Sequence, residues 1–205
     1  MGRPREHDEH TARALLEAAE RAIQRDGPEG ISIRGVASEV GTTTRAVYSL
    51  FGSKQGLIAA LAAHAFDLLR TVMEQLPETP APDDDLIEAG LVIRRFALEH
   101  PSLFRIVFRN TADPFMHSQP TVRSASARAL DVLKAKVARL AAAGLLGTTG
   151  AGEATVHFRA LCDGLAGLEL GGTSAIPADD GERLWRAGLR ALVRGFRPDA
   201  APDSS

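Results

Sequence analysis

The chain of 205 residues is predicted to be all-α, with a three-helix head at its N-terminus and a larger helical domain behind it, about nine helices in all. Three observations carry this prediction. Apolar residues recur at helical spacing along most of the chain, as in Leu57, Leu61, Leu68 and Val72, and again in Trp185, Leu189, Leu192 and Phe196. Glycine and proline punctuate the joints between these runs, at Gly27-Pro28, at Pro77, Pro80 and Pro82, at Pro101, and in the glycine-rich stretch 144–152. Residues 33–57 read as two short helices joined by a tight turn.

The head is built in order. A first helix over about residues 11–25 buries Leu15, Ala19, Ala22 and Ile23, and Gly27 and Pro28 end it. Ahead of it, Gly2-Arg3-Pro4-Arg5 reads as a flexible basic arm, either reaching a minor groove or phosphate or simply solvated. Ser32 is placed to cap a helix over 33–40 whose apolar side is Ile33, Val36, Ala37 and Val40. Gly41 enters a left-handed turn without steric cost. Thr43 or Thr44 then caps a second helix over 45–50. Ala46, Val47 and Leu50 point inward, which leaves Thr43, Thr44, Arg45, Tyr48 and Ser49 outside. Helices this short do not stand alone, so they pack on each other, and the small Ala37 lets them cross closely. The result is a helix-turn-helix, whose second helix is shaped for a DNA major groove.

These residues also resemble the DNA-binding signature of the tetracycline-repressor (TetR) family. Ser32, Ile33, Arg34, Val36, Ala37, Gly41, Val47, Tyr48, Phe51, Ser53, Lys54 and Leu57 meet it at fixed spacing. Leu50 departs from it, standing where the family usually carries His or Tyr. The resemblance implies a groove-facing set of Thr42, Thr43, Thr44, Arg45, Tyr48 and Ser49. In it Arg45 pairs with guanine and the threonine methyls touch thymine. Lys54, Arg34 and the Tyr48 hydroxyl would hold phosphates. It further implies a homodimer on a roughly palindromic stretch of double-stranded operator DNA, acting as a repressor or, with the same residues, as an activator.

Behind the head, a helix over 54–76 is followed by a proline- and acid-rich connector, 77–85, and a helix over 86–99, capped by Asp84 or Asp85, that is apolar almost all round. His100-Pro101 breaks it. A short aromatic helix over 102–109, a loop over 111–120 with at most one turn, and helices over 121–143, 153–171 and 180–197 complete the chain. The expected domains are therefore 1–54 for the head, 55–197 for regulation and dimerisation, and 198–205 for a disordered tail. Interior glycines on the 153–171 helix each cost about 1 kcal/mol relative to alanine, which implies close approach by another backbone. With the final helix this gives an expected dimer interface of Gly164, Gly167, Leu168, Trp185, Leu189 and Leu192. The alternative is that these residues close the monomer's own core.

Residues 96–110 and 160–172 resemble the C-terminal domain of the TetR subgroup named for a Trp-His-Gly motif, with Asp163 in place of the histidine. That resemblance implies a pocket for a small apolar or aromatic effector. Its expected lining is drawn from Phe66, Phe96, Phe104, Phe108, Phe115 and Met116, together with His100, Phe158 and Cys162.

Composition bounds the partners. The net charge is −2, and residues 1–54 hold eight cations and eight carboxylates, so no basic footprint shows in the sum. Locally, Arg34, Arg45 and Lys54 face Glu39 alone over 34–54. The one cysteine excludes an internal disulfide. The N-terminus lacks an apolar run, and the uncharged stretch 55–66 is shorter than the ~20 residues that span a bilayer. A soluble cytoplasmic protein without a membrane partner is expected. No metal or cofactor is expected: His7 and His10 have no third ligand, and Asp83-Asp84-Asp85 reads as solvated caps. An enzyme would need Cys162 and His157 as a dyad, but five residues of helix turn them roughly 140° apart. No phosphate loop or nucleophile elbow appears, so no catalytic residue is expected. A DNA-binding protein without a ligand is the remaining alternative.

Overall fold

The computed structural model describes residues 3–109, 114–171, 176 and 178–197, and among these there is no strand. The helices are α1 (Arg3–Gly30), α2 (Ile33–Glu39), α3 (Thr44–Phe51), α4 (Lys54–Glu74), α5 (Pro82–Glu99), α6 (Pro101–Phe104), α7 (Pro114–Ser118), α8 (Pro120–Ala142), α9 (Ala151–Leu170) and α10 (Gly181–Gly195). A π-helical turn, Arg105–Arg109, extends α6. The all-α class with an N-terminal helix-turn-helix head is as expected.

Two compact units share the chain: Met1–Asp67 with His100–Ala127, and Leu68–Glu99 with Arg128–Ser205. The first boundary thus falls inside α4 rather than after residue 54, and α6, α7 and the start of α8 belong to the unit that holds the head. The tail expected over 198–205 and Gly2 of the expected arm lie outside the described residues. The backbone is helical from Arg3, ahead of the expected start at residue 11. Proline is tolerated in a first helical turn, where its missing N–H has no partner to lose, so Pro4 does not oppose this.

In the first unit α1 buries Leu15, Ala18, Ala19, Ala22 and Ile23 and breaks at Gly27, whose φ of 74° suits glycine. The helix α1 packs against α2, α3 and α6. At the start of α6, His100 Nδ1 lies 2.8 Å from Glu20 Oε1 on α1. Burial pushes the neighbouring His64 below its ordinary pKa, against the pull of Glu20, Asp67 and Glu17. By length and mean hydropathy, 1.4 over its best window, α4 is the one helix among the described residues long and apolar enough to cross a membrane. Its apolarity has a plainer use here: Leu57, Ala59, Leu61, Ala62 and Ala65 are buried.

In the second unit α5 packs on α9 and α10. It begins at Pro82, earlier than expected, because proline suits a first turn and Asp83, Asp84 and Asp85 complement the helix N-terminus. Asp85 is no solvated cap. It accepts from the Thr79 N–H at 2.8 Å, from Thr79 Oγ1 at 2.7 Å and from Arg139 Nη1 at 2.5 Å, tying the connector to α5 and α8. Glu169 on α9 receives Arg94 through two guanidinium nitrogens, Nη2 at 2.7 Å and Nε at 3.1 Å, and Trp185 Nε1 at 2.8 Å. Gly181 makes room for that cluster, since a Cβ there would stand 2.5 Å from Arg94 Nη2.

Candidate nucleic-acid interface

Three hydroxyls start the helices of the head. Ser32 Oγ accepts from the Gly35 N–H at 3.3 Å, Thr43 Oγ1 from the Ala46 N–H at 3.2 Å, and Ser53 Oγ from the Gly56 N–H at 2.9 Å. Each answers an N–H that the helix itself leaves open. Thr43, not Thr44, is therefore the cap of α3. Its oxygen is occupied as an acceptor while its O–H proton stays available to a phosphate. Between α2 and α3 the chain reverses at Gly41, φ 70°, and the Thr42 N–H locks the turn onto the Ala37 carbonyl at 2.9 Å. Val36, Ala37 and Val47, each at most 2 % exposed, glue the two helices together.

This packing decides which side chains stay outside. Thr43, Thr44, Arg45 and Ser49 are exposed, as is Arg34, and Tyr48 shows 53 % of its surface. Thr42 and Lys54 are half-buried. An aromatic ring held that open on an eight-residue helix contributes little to the core it sits beside. The one carboxylate between residues 34 and 54 is also answered: Arg21 Nε lies 2.7 Å from Glu39 Oε1. Exposed pairs of this kind add little stability, but this one engages the carboxylate that stands between Arg34 and Arg45 in sequence. Spacing alone could not show this pair, because its partners lie on different helices.

The residues expected around an effector divide between the units. In the first, Phe104 stacks on Phe108 with centroids 4.4 Å apart, and Phe66 meets Phe108 edge-on at 6.2 Å. Met116 is buried, Phe115 is exposed, and His100 is held by Glu20. A π turn places Phe108 there, and such turns occur often at functional sites. Phe96, Phe158 and Cys162 belong to the second unit, where they are 5 %, 0 % and 1 % exposed.

The expected dimer set divides as well. Trp185 and Leu189 are fully buried within their own chain, so they have no surface to offer a partner. Their apolar face on α10 is covered by α5 and α9 instead. Leu192 is half-buried, Leu168 is 46 % exposed, and a Cβ built on Gly164 or Gly167 would meet nothing within 4 Å. Burial raises the thiol pKa of Cys162 further above neutrality, with the Asp163 charge adding to the effect. His157 instead stacks on Phe196, centroids 6.3 Å apart. A buried, protonated thiol is a poor nucleophile.

A capped, tightly turned helix pair whose second helix is left bare on one polar face defines a helix-turn-helix DNA-binding regulator. The family model described as bacterial regulatory proteins, tetR family, matches residues 15–61, and that of the tetracyclin repressor-like C-terminal domain matches residues 86–192. The chain belongs to the TetR family of DNA-binding transcription regulators. It is 27 % identical over 123 residues, 58 % of this chain and 52 % of the relative, to the HTH-type transcriptional regulator Rv1816 of Mycobacterium tuberculosis. Over 72 residues, 35 % of this chain and 36 % of the relative, it is 36 % identical to the HTH-type nicotine-responsive transcriptional repressor HdnoR of Paenarthrobacter nicotinovorans. The chain thus spans about half the length or less of the curated relatives it matches. A solved structure from Rhodococcus sp. RHA1, of a protein with unknown function, superposes with a TM-score of 0.78 at 26 % identity, covering 91 % of this chain and 95 % of that one.

Proposed function

We propose that the chain is a homodimeric repressor that binds a near-palindromic operator and is released by a small apolar or aromatic molecule. The observation that carries the reading is the bare face of α3, where Thr44, Arg45, Tyr48 and Ser49 are exposed on a helix fixed by its caps and by Val47. In the groove, Arg45 can take guanine through two hydrogen bonds while Thr43, Tyr48, Arg34 and Lys54 hold phosphates. Two heads are needed for a palindrome. The exposed run Val156, Ala160, Gly164 and Leu168 on α9 supplies a surface for the second copy, with Gly167 and Leu192 beside it. The effector is assigned to the aromatic cluster of Phe66, Phe104 and Phe108, which shares a unit with the head. There α6 touches α1 through His100 and Glu20, so a ligand that moves α6 bears directly on the helix that supports α2 and α3. One relative's name, a nicotine-responsive repressor, supports both repression and response to a small molecule.

Calorimetry tests the reading as a whole. Effector and operator must weaken each other's binding by one common factor, which for coupling of about 1–3 kcal/mol is about 5- to 150-fold. Equal effector affinity with and without operator would refute induction. An operator bound by one head alone would refute the dimer.

A further inference from the structure

Two imidazoles and three carboxylates gather in the unit that holds the head, and they come from three helices. Glu17 and Glu20 stand on α1, His64 and Asp67 on α4, and His100 at the start of α6. His100 Nδ1 lies 2.8 Å from Glu20 Oε1, and both side chains are half-buried. This contact joins α6 to α1, the helix against which α2 and α3 pack. A neutral imidazole with its proton on Nδ1 donates to a carboxylate as an imidazolium does, so His100 needs no charge to hold Glu20. His64 is the ring whose charge is in the balance. Desolvation disfavours its cation and so does His100, whereas Glu20, Asp67 and Glu17, in that order, favour it. Glu20, the strongest of these attractions, is thus also the partner of the second imidazole.

We propose that Glu20 is a positioning residue for DNA binding, shared between His64 and His100, and that this sharing makes the seating of the head sensitive to protons. With His64 neutral, Glu20 serves His100 alone and α6 holds α1. Once His64 takes up a proton, an imidazolium on α4 faces the same carboxylate and draws it away from His100. The contact between α6 and α1 then weakens, and α1 carries α2 and α3 with it. The direction in pH follows from the burial of His64, which sets its folded value below the ordinary 6.5. The neutral arrangement is therefore complete above pH 6.5 and is lost as the pH falls through that lower value. The inference goes beyond the effector reading: it needs DNA binding by the head and no small molecule other than the proton.

The test uses the full chain and two variants. Glu20→Gln keeps an acceptor for His100 and removes the charge, and His64→Gln removes the titrating ring. The probe is a duplex selected from random sequence by the wild type at about pH 8. Its affinity is measured for each protein at about pH 7.5 and about pH 5.5 in the same salt, and the ratio of the two values is compared. The wild type is expected to lose about 5-fold or more in acid, and each variant less than about 2-fold. Ring NMR over the same range supplies a second readout that a purely structural contact would not move. The His100 resonances should step at the midpoint of His64 in the wild type, and that step should vanish in His64→Gln. Wild-type binding that is as tight in acid, a wild-type ratio retained in either variant, or His100 resonances without the step overturns the assignment. Should His64→Gln fail to fold, Glu20→Gln and the wild-type titration still decide.

Discussion

Gly90 and Leu189 meet so closely that a Cβ on residue 90 would stand 2.6 Å from Leu189 Cδ1 and 2.7 Å from Cδ2. The helix α10 is therefore seated on α5 through a missing side chain. Leu189 is fully buried, so it must shift within the core to admit a methyl group. Gly90→Ala is expected to cost about 1–3 kcal/mol by overpacking, in spite of alanine's better helix propensity. Tm should fall by about 2–4 °C for each kcal/mol in a chain of this size. An unchanged or raised melting temperature would show that Leu189 finds another rotamer.

Glu169 binds two donors at once, and its partners are not equal. Arg94 carries a charge and is only 13 % exposed, whereas Trp185 offers a neutral N–H. Glu169→Ala strands the guanidinium and is expected to cost about 3–5 kcal/mol. Replacing Arg94 and Glu169 together with Met and Gln should cost less than the single change. Denaturant titration decides between them, and a double variant weaker than Glu169→Ala would disprove the stranded-charge account.

Asp85 makes stability depend on acid. Burial pushes its pKa up, but the two Thr79 hydrogen bonds and Arg139 outweigh that and hold the carboxyl below its ordinary value. A depressed folded value means stability that is complete above the unfolded carboxylate pKa and is lost as the pH falls through the folded one. Asp85→Asn should flatten this acid limb of the stability curve and lower stability at neutral pH. Identical slopes for variant and wild type between pH ~5 and ~2 would assign the limb to other carboxylates.

Tyr48→Ala and Lys54→Ala should each weaken operator binding with little change in Tm, because neither side chain is part of the buried core of the head. Losing Lys54 should also reduce the slope of log affinity against log salt by about one unit. Gel-shift titrations at several salt concentrations measure both effects. Wild-type affinity in both variants would take this face out of the DNA contact.

Gly164→Leu separates folding from assembly. A Cβ there meets nothing within 4 Å and residue 164 is exposed, so the monomer should fold and melt normally. A partner packed against α9 would be pushed away, and sedimentation should show a shift toward monomer. Operator affinity should fall with it, although residue 164 lies on α9 and not on α3. A dimer of unchanged strength would move the interface off the α9 stripe.

The helices were readable because each carries its own signal: Ser32 and Thr43 as caps, Gly41 as the turn, and Leu57 to Val72 at helical spacing. The exposed face of α3 followed from the same local rules. What covers an apolar face is a different matter. Periodicity on α10 marks Trp185, Leu189 and Leu192 alike, yet two of them turn inward and only Leu192 keeps some surface. Nothing local distinguishes a neighbour in the same chain from one in a second copy. The Arg94–Glu169 pair, 75 residues apart, and the Asp85–Arg139 pair, 54 apart, were out of reach for the same reason.

The state of Cys162 has a practical consequence for watching this protein move. Its thiol is 1 % exposed and held protonated by burial, so alkylating reagents and mild oxidants should pass it by. A cysteine introduced at an exposed position of α3, such as Ser49, can then carry a spin label or fluorophore without first removing the native residue. In an assembled dimer the two labels would report the separation of the heads as a spectroscopic distance. Half-site spacing could be measured in solution on the otherwise unaltered chain.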